Sequence, residues 1–230
     1  MARDGREELG LAYPFDHLMI CVADPRDALR SLRAFGLRAG IVAEQPGTGT
    51  HHAVFFFDDA YLEIAWPSSA APAFPDAPGL HFMERTGAST SPWCPFGLSF
   101  RAASGGSRLP LSTWAFAAPF LPTGAAPIPI GSNSDREAEP LLVASLVSGR
   151  PDRRVPRPPL HSDLDLTAIS RVRLSSPAAK SPSRELAAVA AMGWLVLAPA
   201  AQHHVELEFA AGAHGSSHDF SPALPLRFRW

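Results

Sequence analysis

Residues 15–36 read FDHLMICVADPRDALRSLRAFG, and this stretch decides the fold class. Residues 15–22 form an apolar run with the length of a buried strand. Asp24 and Pro25 are typical of a helix start, and Gly36 is typical of a helix end. Between them apolar residues recur on one helix face. The stretch therefore predicts a strand followed directly by a helix that covers one of its faces.

A faint internal repeat of this unit appears later in the chain. Residues 181–193, SPSRELAAVAAMG, match residues 24–36 in the positions of the proline, the apolar residues and the final glycine. Each copy precedes a run with a histidine pair, at residues 51–52 and 203–204. A duplicated strand–helix–strand unit folds as two similar halves around a shared cleft, so the repeat predicts a ligand cleft.

The order of these patterns predicts an α+β protein with two unequal βαβββ modules, which form a curved mixed sheet around the cleft. The first module spans residues 12–66, and a degenerate second module spans residues 161–230. Residues 67–160 are rich in Pro and Ala and are expected to form a long connector with a few strands, because unstructured segments of that length are rare in compact domains. The strand candidates within it are Phe96–Arg101, Thr113–Phe120 and Leu141–Val147.

Composition narrows the possible partners. A net charge of -2 over 230 residues provides no basic field for nucleic acid or anionic lipid. No apolar run reaches about 18 residues, so no membrane segment is expected. The charged residues 1–8 lack the apolar core of a signal peptide, and Cys21 and Cys94 are expected to be reduced, which suits a cytoplasmic protein. Because two modules in one chain can complete a cleft, either a monomer or a homodimer is expected.

Strand parity selects the first candidate site residues, because alternate side chains point to opposite faces of a sheet. If the apolar residues of 15–22 pack beneath the helix, His17 points to the uncovered face. In residues 61–66, Tyr61 and Glu63 point to that face too. Burying either His17 or Glu63 unpaired costs roughly 2–7 kcal/mol. Three interpretations stay open: the two residues bind a divalent metal, they form a metal-free pair, or their strands are not neighbours and both are solvated.

The same parity places a mixed set of charges on the uncovered face of the second module. The set comprises Arg171, Arg173, His204, Glu206, Glu208, Arg227 and Arg229. Arg171 and Arg227 could anchor a ligand carboxylate or phosphate, with His204 beside them. The alternative is a salt-bridge lattice that stabilises this face. The basic residues 150–157 are interpreted as a solvated linker rather than an anion site.

Three segments of the first module resemble the opening of glyoxalase-like proteins of the vicinal oxygen chelate superfamily. They are residues 16–24 (DHLMICVAD), 47–53 (GTGTHHA) and 61–64 (YLEI). The resemblance implies one domain of paired βαβββ modules and a divalent metal, such as Zn, Fe, Mn, Ni or Mg. Its ligands would be a first-strand His and a fourth-strand Glu from each half, here His17 and Glu63, with Glu63 also the catalytic candidate. In the second half those positions carry Ile169 and Arg227, which cannot bind a cation.

A three-ligand metal site then needs one more donor. His52 is the candidate, because the repeat puts it, like His204, on the cleft face. His51 matches the histidine of the family's Gly-Thr-His pattern, so the choice between them stays open, and His51 and Tyr61 are expected to contact substrate. The sequence predicts a metal-dependent isomerase, lyase or hydrolase acting on a small oxygenated, carboxylate-bearing molecule. The alternatives are a metal-free protein that sequesters a small molecule, or a structural module.

Overall fold

The computed structural model describes residues 13–68, 74, 77–87, 91–101, 109–145, 149–210 and 215–230. Residue 12 of the predicted first module and the end of the third strand candidate, residues 146–147, lie outside these ranges. The helices are α1 (Arg26–Phe35), α2 (Phe82–Arg85) and α3 (Arg184–Ala190). The strands are β1 (Phe15–Cys21), β2 (Ile41–Gln45), β3 (Thr50–Phe56), β4 (Tyr61–Pro67), β5 (Phe96–Arg101), β6 (Thr113–Phe116), β7 (Ile128–Gly131), β8 (Leu141–Ser145), β9 (Ile169–Ser176), β10 (Leu195–Pro199), β11 (His204–Phe209), β12 (Ser217–Asp219) and β13 (Leu226–Arg229).

An eight-stranded mixed sheet has the order β2-β3-β4-β1-β5-β8-β7-β6. Strand β1 runs parallel to β4 and antiparallel to β5 at the centre of the sheet. On the other side of this centre, β5 runs parallel to β8, and the remaining strands pair antiparallel. Strands β5–β8 thus repeat the pairing pattern of β1–β4, and the two sets form the halves of one sheet.

The structure differs from the sequence-based expectation in which segment supplies the second half of this sheet. Strands β5–β8 come from residues 96–145, within the segment predicted to be a connector, rather than from residues 161–230. Every residue of β5 is buried, because it lies beside β1 in the middle of the sheet. The repeat around α3 is genuine in sequence, but it builds a different sheet.

Residues 169–229 form a second, five-stranded sheet of order β10-β9-β11-β13-β12. Here β10, which follows the helix, pairs directly and in parallel with β9. The α1-side face of the first sheet and the inner face of the second share one core. Its members include Leu18, Ile20, Leu62, Ile64, Val172, Leu174, Val205 and Leu207. The α+β class is confirmed, and the cleft lies on the face of the first sheet that the second sheet does not cover.

Local capping explains where the two matched helices begin. The N-cap position of α1 is Pro25 rather than Asp24; the Asp24 carboxylate, one residue earlier, accepts a hydrogen bond from the Arg26 amide, and Gly36 ends the helix with φ +109°. In α3 the cap is Ser183, two residues later than the repeat suggests, and its hydroxyl accepts from the Leu186 amide. No helix among the described residues is long and apolar enough to cross a bilayer.

Candidate functional site

A cavity of about 330 Å³ opens on the uncovered face of the first sheet. One wall is apolar and comes mainly from the second half of the sheet, with Phe116, Ile128, Ile130, Leu141 and Val143. The other wall is polar and comes mainly from the first half, with His17, Gln45, His52, Tyr61, Glu63 and Arg154. The cavity therefore suits a small molecule with a mostly apolar body and polar groups along one side.

The polar wall is centred on His17 and Glu63. Strands β1 and β4 are parallel neighbours in which Met19 lies opposite Glu63, two residues beyond His17. This register brings His17 Nε2 to 3.9 Å from Glu63 Oε2. The interpretation in which the two strands are not neighbours is therefore wrong.

Asp16 is a site residue that the parity argument missed. The register between β1 and β5 shifts between Phe15 and His17, so Asp16 is an extra residue in β1. Such a bulge re-aims side chains locally, and here the Asp16 carboxylate reaches His17 Nδ1 at 2.7 Å. Arg101 Nη1, at 3.3 Å, donates to the other carboxylate oxygen. Because His17 Nδ1–H donates to Asp16, its Nε2 is left to face the cavity. Strict alternation of side chains along a strand cannot reveal a bulge. The one sequence feature that could have indicated the Asp16–His17 contact is that the two residues are adjacent.

Glu63 is held ionised by its neighbours on β2 and β3. His52 Nδ1 lies 2.7 Å from Glu63 Oε1, and the Gln45 amide nitrogen lies 3.4 Å from the same oxygen. Burial by itself raises the pKa of Glu63, but the His52 hydrogen bond and the charges of His17 and His52 lower it below its ordinary value. Gln45 is fixed in turn by the Thr50 hydroxyl, which donates to its Oε1 at 3.1 Å. Glu63 Oε2 is thus a fixed negative hydrogen-bond acceptor beside His17.

Aromatic stacking extends the polar wall toward residues 149–157. The rings of His17 and Tyr61 are stacked with centroids 4.3 Å apart. The Arg154 guanidinium lies over Phe56 at 5.2 Å and over Tyr61 at 5.8 Å. Burial, followed by the nearby charges of Asp16 and Glu63, raises the pKa of Tyr61 well above its ordinary value, so its hydroxyl stays protonated. Arg154 was assigned to a solvated linker from the sequence, and the structure instead places it in the cavity lining.

The remaining predicted site residues lie elsewhere. On β3 it is His52 that lines the cavity, whereas His51 stacks with Trp66 on the other face, with ring planes 11° apart. The predicted substrate contacts Arg171, His204 and Arg227 belong to the second sheet and do not line the cavity. That sheet packs its apolar face on the back of the first sheet, so these side chains face away from the cleft.

The charged face of the second sheet is an ion-pair lattice, as the alternative interpretation held. Arg171 Nη1 lies 3.7 Å from Glu208, and Arg229 Nη1 lies 3.6 Å from Glu206. Arg227 lies 2.7 Å from Asp219 and 3.9 Å from Glu206. The guanidinium groups predicted to hold a ligand anion are therefore already paired with carboxylates.

The divalent metal implied by the resemblance does not fit the described residues. His17, which uses Nδ1 for Asp16, and Glu63, which uses Oε1 for His52, each keep one free donor atom, so together they supply two protein ligands. The Nδ1 atom of His52 points to Glu63 Oε1, so His52 forms a hydrogen bond with Glu63 instead of acting as a third metal ligand. The positions facing them on β5 and β8 carry Gly97, Ser99, Leu141 and Val143, which offer no imidazole or carboxylate. No three His, Cys, Asp or Glu side chains in the described ranges form a metal-holding group.

Comparison with known proteins identifies the class. Residues 15–120 match the profile of the family described as a glyoxalase-like domain. This match confirms the resemblance seen in the sequence. Over these residues the chain is similar to a glyoxalase-like domain. No curated protein matches the chain in sequence.

Several solved structures are similar in fold at low sequence identity. A hypothetical protein from Staphylococcus aureus is 9% identical, with 94% of this chain and 99% of that chain covered and a TM-score of 0.48. A methylmalonyl-CoA epimerase variant from Streptomyces coelicolor, in complex with 2-nitronate-propionyl-CoA, is 14% identical, with 57% and 94% covered and a TM-score of 0.36. The methylmalonyl-CoA epimerase from Mycobacterium tuberculosis is 12% identical, with 59% and 88% covered and a TM-score of 0.34.

Proposed function

We propose that this protein binds a small, mostly apolar molecule in the cavity of the first sheet, without a metal held by protein ligands. The observation that carries the proposal is the pairing of an apolar wall with a fixed polar set, Asp16–His17 and Glu63–His52, inside one cavity of about 330 Å³. A cavity of this size and composition is typical of small-molecule sites. Sequestration of that molecule is the simplest activity that this arrangement supports.

The polar set also indicates which ligand group faces it. When His17 is neutral, with its proton on Nδ1, its Nε2 and Glu63 Oε2 are both hydrogen-bond acceptors, and they face each other 3.9 Å apart. Two acceptors cannot satisfy each other, so each needs a donor from water or from a ligand in the cavity. A ligand hydroxyl or amine between them donates to one or both. The preferred ligand therefore carries a hydrogen-bond donor at this end.

Titration with 2-naphthol, a two-ring apolar molecule with one hydroxyl, tests this function. We expect saturable binding that is unchanged after treatment with EDTA. Glu63→Gln removes the charge on the acceptor, so affinity should fall by about tenfold, as for a hydrogen bond to a charged group. Glu44→Gln, on the exposed strand β2, is the matched control and should bind like the original chain.

Three results would contradict the proposal. Failure of the original chain to bind 2-naphthol would argue against a small-molecule cavity. Loss of binding after EDTA treatment would restore the metal-dependent hypothesis. Equal binding by the Glu63→Gln variant and the original chain would remove Glu63 from the ligand contacts, provided that both chains have the same thermal midpoint.

A metal-free enzyme is the second candidate, and the Asp16–His17 geometry favours it. A buried carboxylate that fixes Nδ1–H of a histidine, with Nε2 facing a cavity, is the arrangement of a general base. Such a base would remove a proton from carbon next to a carbonyl group, as an isomerase or lyase requires. If so, hydrogen–deuterium exchange of 2-tetralone followed by NMR would be faster with the original chain than with the His17→Asn variant.

A further inference from the structure

We infer that Arg154 is the anion-recognition residue of this cavity, and that the ligand carries a carboxylate as well as its apolar body. This inference rests on the proposed small-molecule function and adds the chemical class of the ligand. It also transfers the carboxylate contact from Arg171 and Arg227, which are already paired with carboxylates, to a residue inside the cleft.

Arg154 differs from the other arginines of residues 150–157 in its environment. Arg150 makes a two-point contact with the Asp152 carboxylate, through Nε at 3.0 Å and Nη2 at 2.8 Å. Arg157 Nε donates to the Asp152 carbonyl at 3.1 Å. Arg153 is exposed. Among these four, Arg154 is the one that lines the cavity.

The guanidinium of Arg154 has donors to spare. Its Nε and Nη2 share one acceptor, the carbonyl of Gly149, at 3.4 Å each, which is long for a hydrogen bond. Among the described residues no carboxylate forms an ion pair with it. Its position over the rings of Phe56 and Tyr61 holds the planar group at the cavity wall without using its N–H groups. A fixed guanidinium with unused donors matches the geometry of a carboxylate.

The other cation in the cavity lining, Arg85, does not compete for this role. Its side chain is 1% exposed and donates to four backbone carbonyls in separate segments of the chain. They belong to Leu80, Cys94, Ser134 and Glu139, at 2.9–3.1 Å. Four of its five N–H groups are therefore used to join these segments, which is a structural role.

The direction of the ligand follows from the order of side chains along the wall. His17 Nε2 lies 3.9 Å from Glu63, the His17 ring stacks on Tyr61 at 4.3 Å, and the Arg154 guanidinium lies 5.8 Å from the Tyr61 ring centroid. A ligand carboxylate is attracted by Arg154 and repelled by the Glu63 carboxylate, so we expect it at the Arg154 end of this series. The donor group at Glu63 and the acid at Arg154 then define the two ends of the ligand.

A matched pair of probes tests this inference. Both probes carry a 6-hydroxyl group as the donor for Glu63: 6-hydroxy-2-naphthoate and 6-hydroxy-2-naphthamide (below, 2-naphthoate and the amide) have the same shape, but only the first is charged, and both are titrated against the full chain by calorimetry. We expect 2-naphthoate to bind about tenfold more tightly than the amide, and added salt to reduce this preference. Arg154→Gln should abolish the preference for 2-naphthoate over the amide. Arg153→Gln, which alters the exposed neighbour, should keep it.

The outcomes separate this inference from the proposed function. If both probes bind equally to the original chain, or if Arg154→Gln keeps the preference for 2-naphthoate, the anion role of Arg154 is wrong and the cavity function stands. If neither probe and no 2-naphthol binds to the original chain, both proposals fall. Thermal midpoints of the two variants verify that each is folded, and Arg154→Lys, which keeps the charge without the planar fork, should give an intermediate preference.

Discussion

At the scale of single residues, His161 shows how a buried polar group joins distant segments. It is fully buried, its Nδ1 donates to the Phe56 carbonyl at 2.9 Å, and its Nε2 accepts from the Arg38 amide at 2.8 Å. Both ring nitrogens are satisfied only when the imidazole is neutral, because a second proton would break the bond from Arg38. Burial lowers the pKa of His161 below its ordinary value of 6.5.

This environment predicts a loss of stability in mild acid. Above about pH 6.5 the His161 imidazole is neutral in both the folded and the unfolded chain, so its hydrogen bonds contribute fully to stability. As the pH falls below that value, the unfolded chain takes up the proton first and the free energy of unfolding decreases. The decrease ends once the pH is below the lowered pKa of His161 in the folded chain. Urea unfolding at about pH 7.5 and about pH 5.5 should show this decrease.

Two variants assign the effect to His161. His161→Gln should be less stable than the original chain at the higher pH by about 1–3 kcal/mol, because a buried partner is left unpaired. It should also lose less stability on acidification. His203 and His204, whose pKa values burial lowers as well, act in the same direction, whereas Asp59, whose pKa burial raises to about 6, acts in the opposite direction. His81→Gln changes a partly exposed histidine paired with Asp135 and serves as the control. An unchanged pH dependence in His161→Gln would contradict the assignment.

At the scale of elements, the end of α1 depends on backbone conformation. Gly36 has φ +109°, and its amide donates to the carbonyl of Arg33. A side chain at this position would be strained, and its Cβ would lie 3.3 Å from Leu164 Cδ1. The turn after α1 therefore needs glycine for two separate reasons.

Three alanine variants separate those reasons. Gly36→Ala should destabilise the protein by about 1–2 kcal/mol in urea unfolding, from backbone strain and the contact with Leu164. Gly124→Ala has strain without a contact, since its φ is +83° and no atom lies within 4 Å, so its effect should be smaller. Gly149→Ala has open space and no left-handed φ, and should be close to neutral. Equal stability of Gly36→Ala and Gly149→Ala would show that α1 ends without this constraint.

At the scale of the whole molecule, an aromatic cluster joins the two sheets. Phe228 on β13 is fully buried and packs against Phe57, just after β3, with ring centroids 5.9 Å apart. The ring centroids of Phe209 and Phe220 lie within 5.2 Å of the Phe228 centroid, and that of Phe35 in α1 lies 5.9 Å from it. Because both sheets share this core, neither buries its inner face without the other.

This shared core predicts a single unfolding transition. Phe228→Ala removes the centre of the cluster and should lower the free energy of unfolding by about 3–5 kcal/mol. Circular dichroism and 2-naphthol binding should lose their signals at the same urea concentration, although the cleft lies on the first sheet and the substitution on the second. Val42→Ala, at a 56% exposed position on the edge strand β2, should change stability by less than about 0.5 kcal/mol. Separate transitions would mean that the sheets are independent units.

The order of the amino acids is enough to predict the α+β class, the first strand–helix unit and the common face of His17 and Glu63. It could do so because these features follow from local periodicity, caps and side-chain alternation. The three-dimensional pairing of segments was needed to establish that β5–β8 rather than residues 161–230 complete the cleft, that a bulge brings Asp16 to His17, and that Arg154 lines the cavity. These features depend on pairing between segments distant in the chain, and hydrophobic patterning states which face of a strand is buried without stating which strand lies beside it.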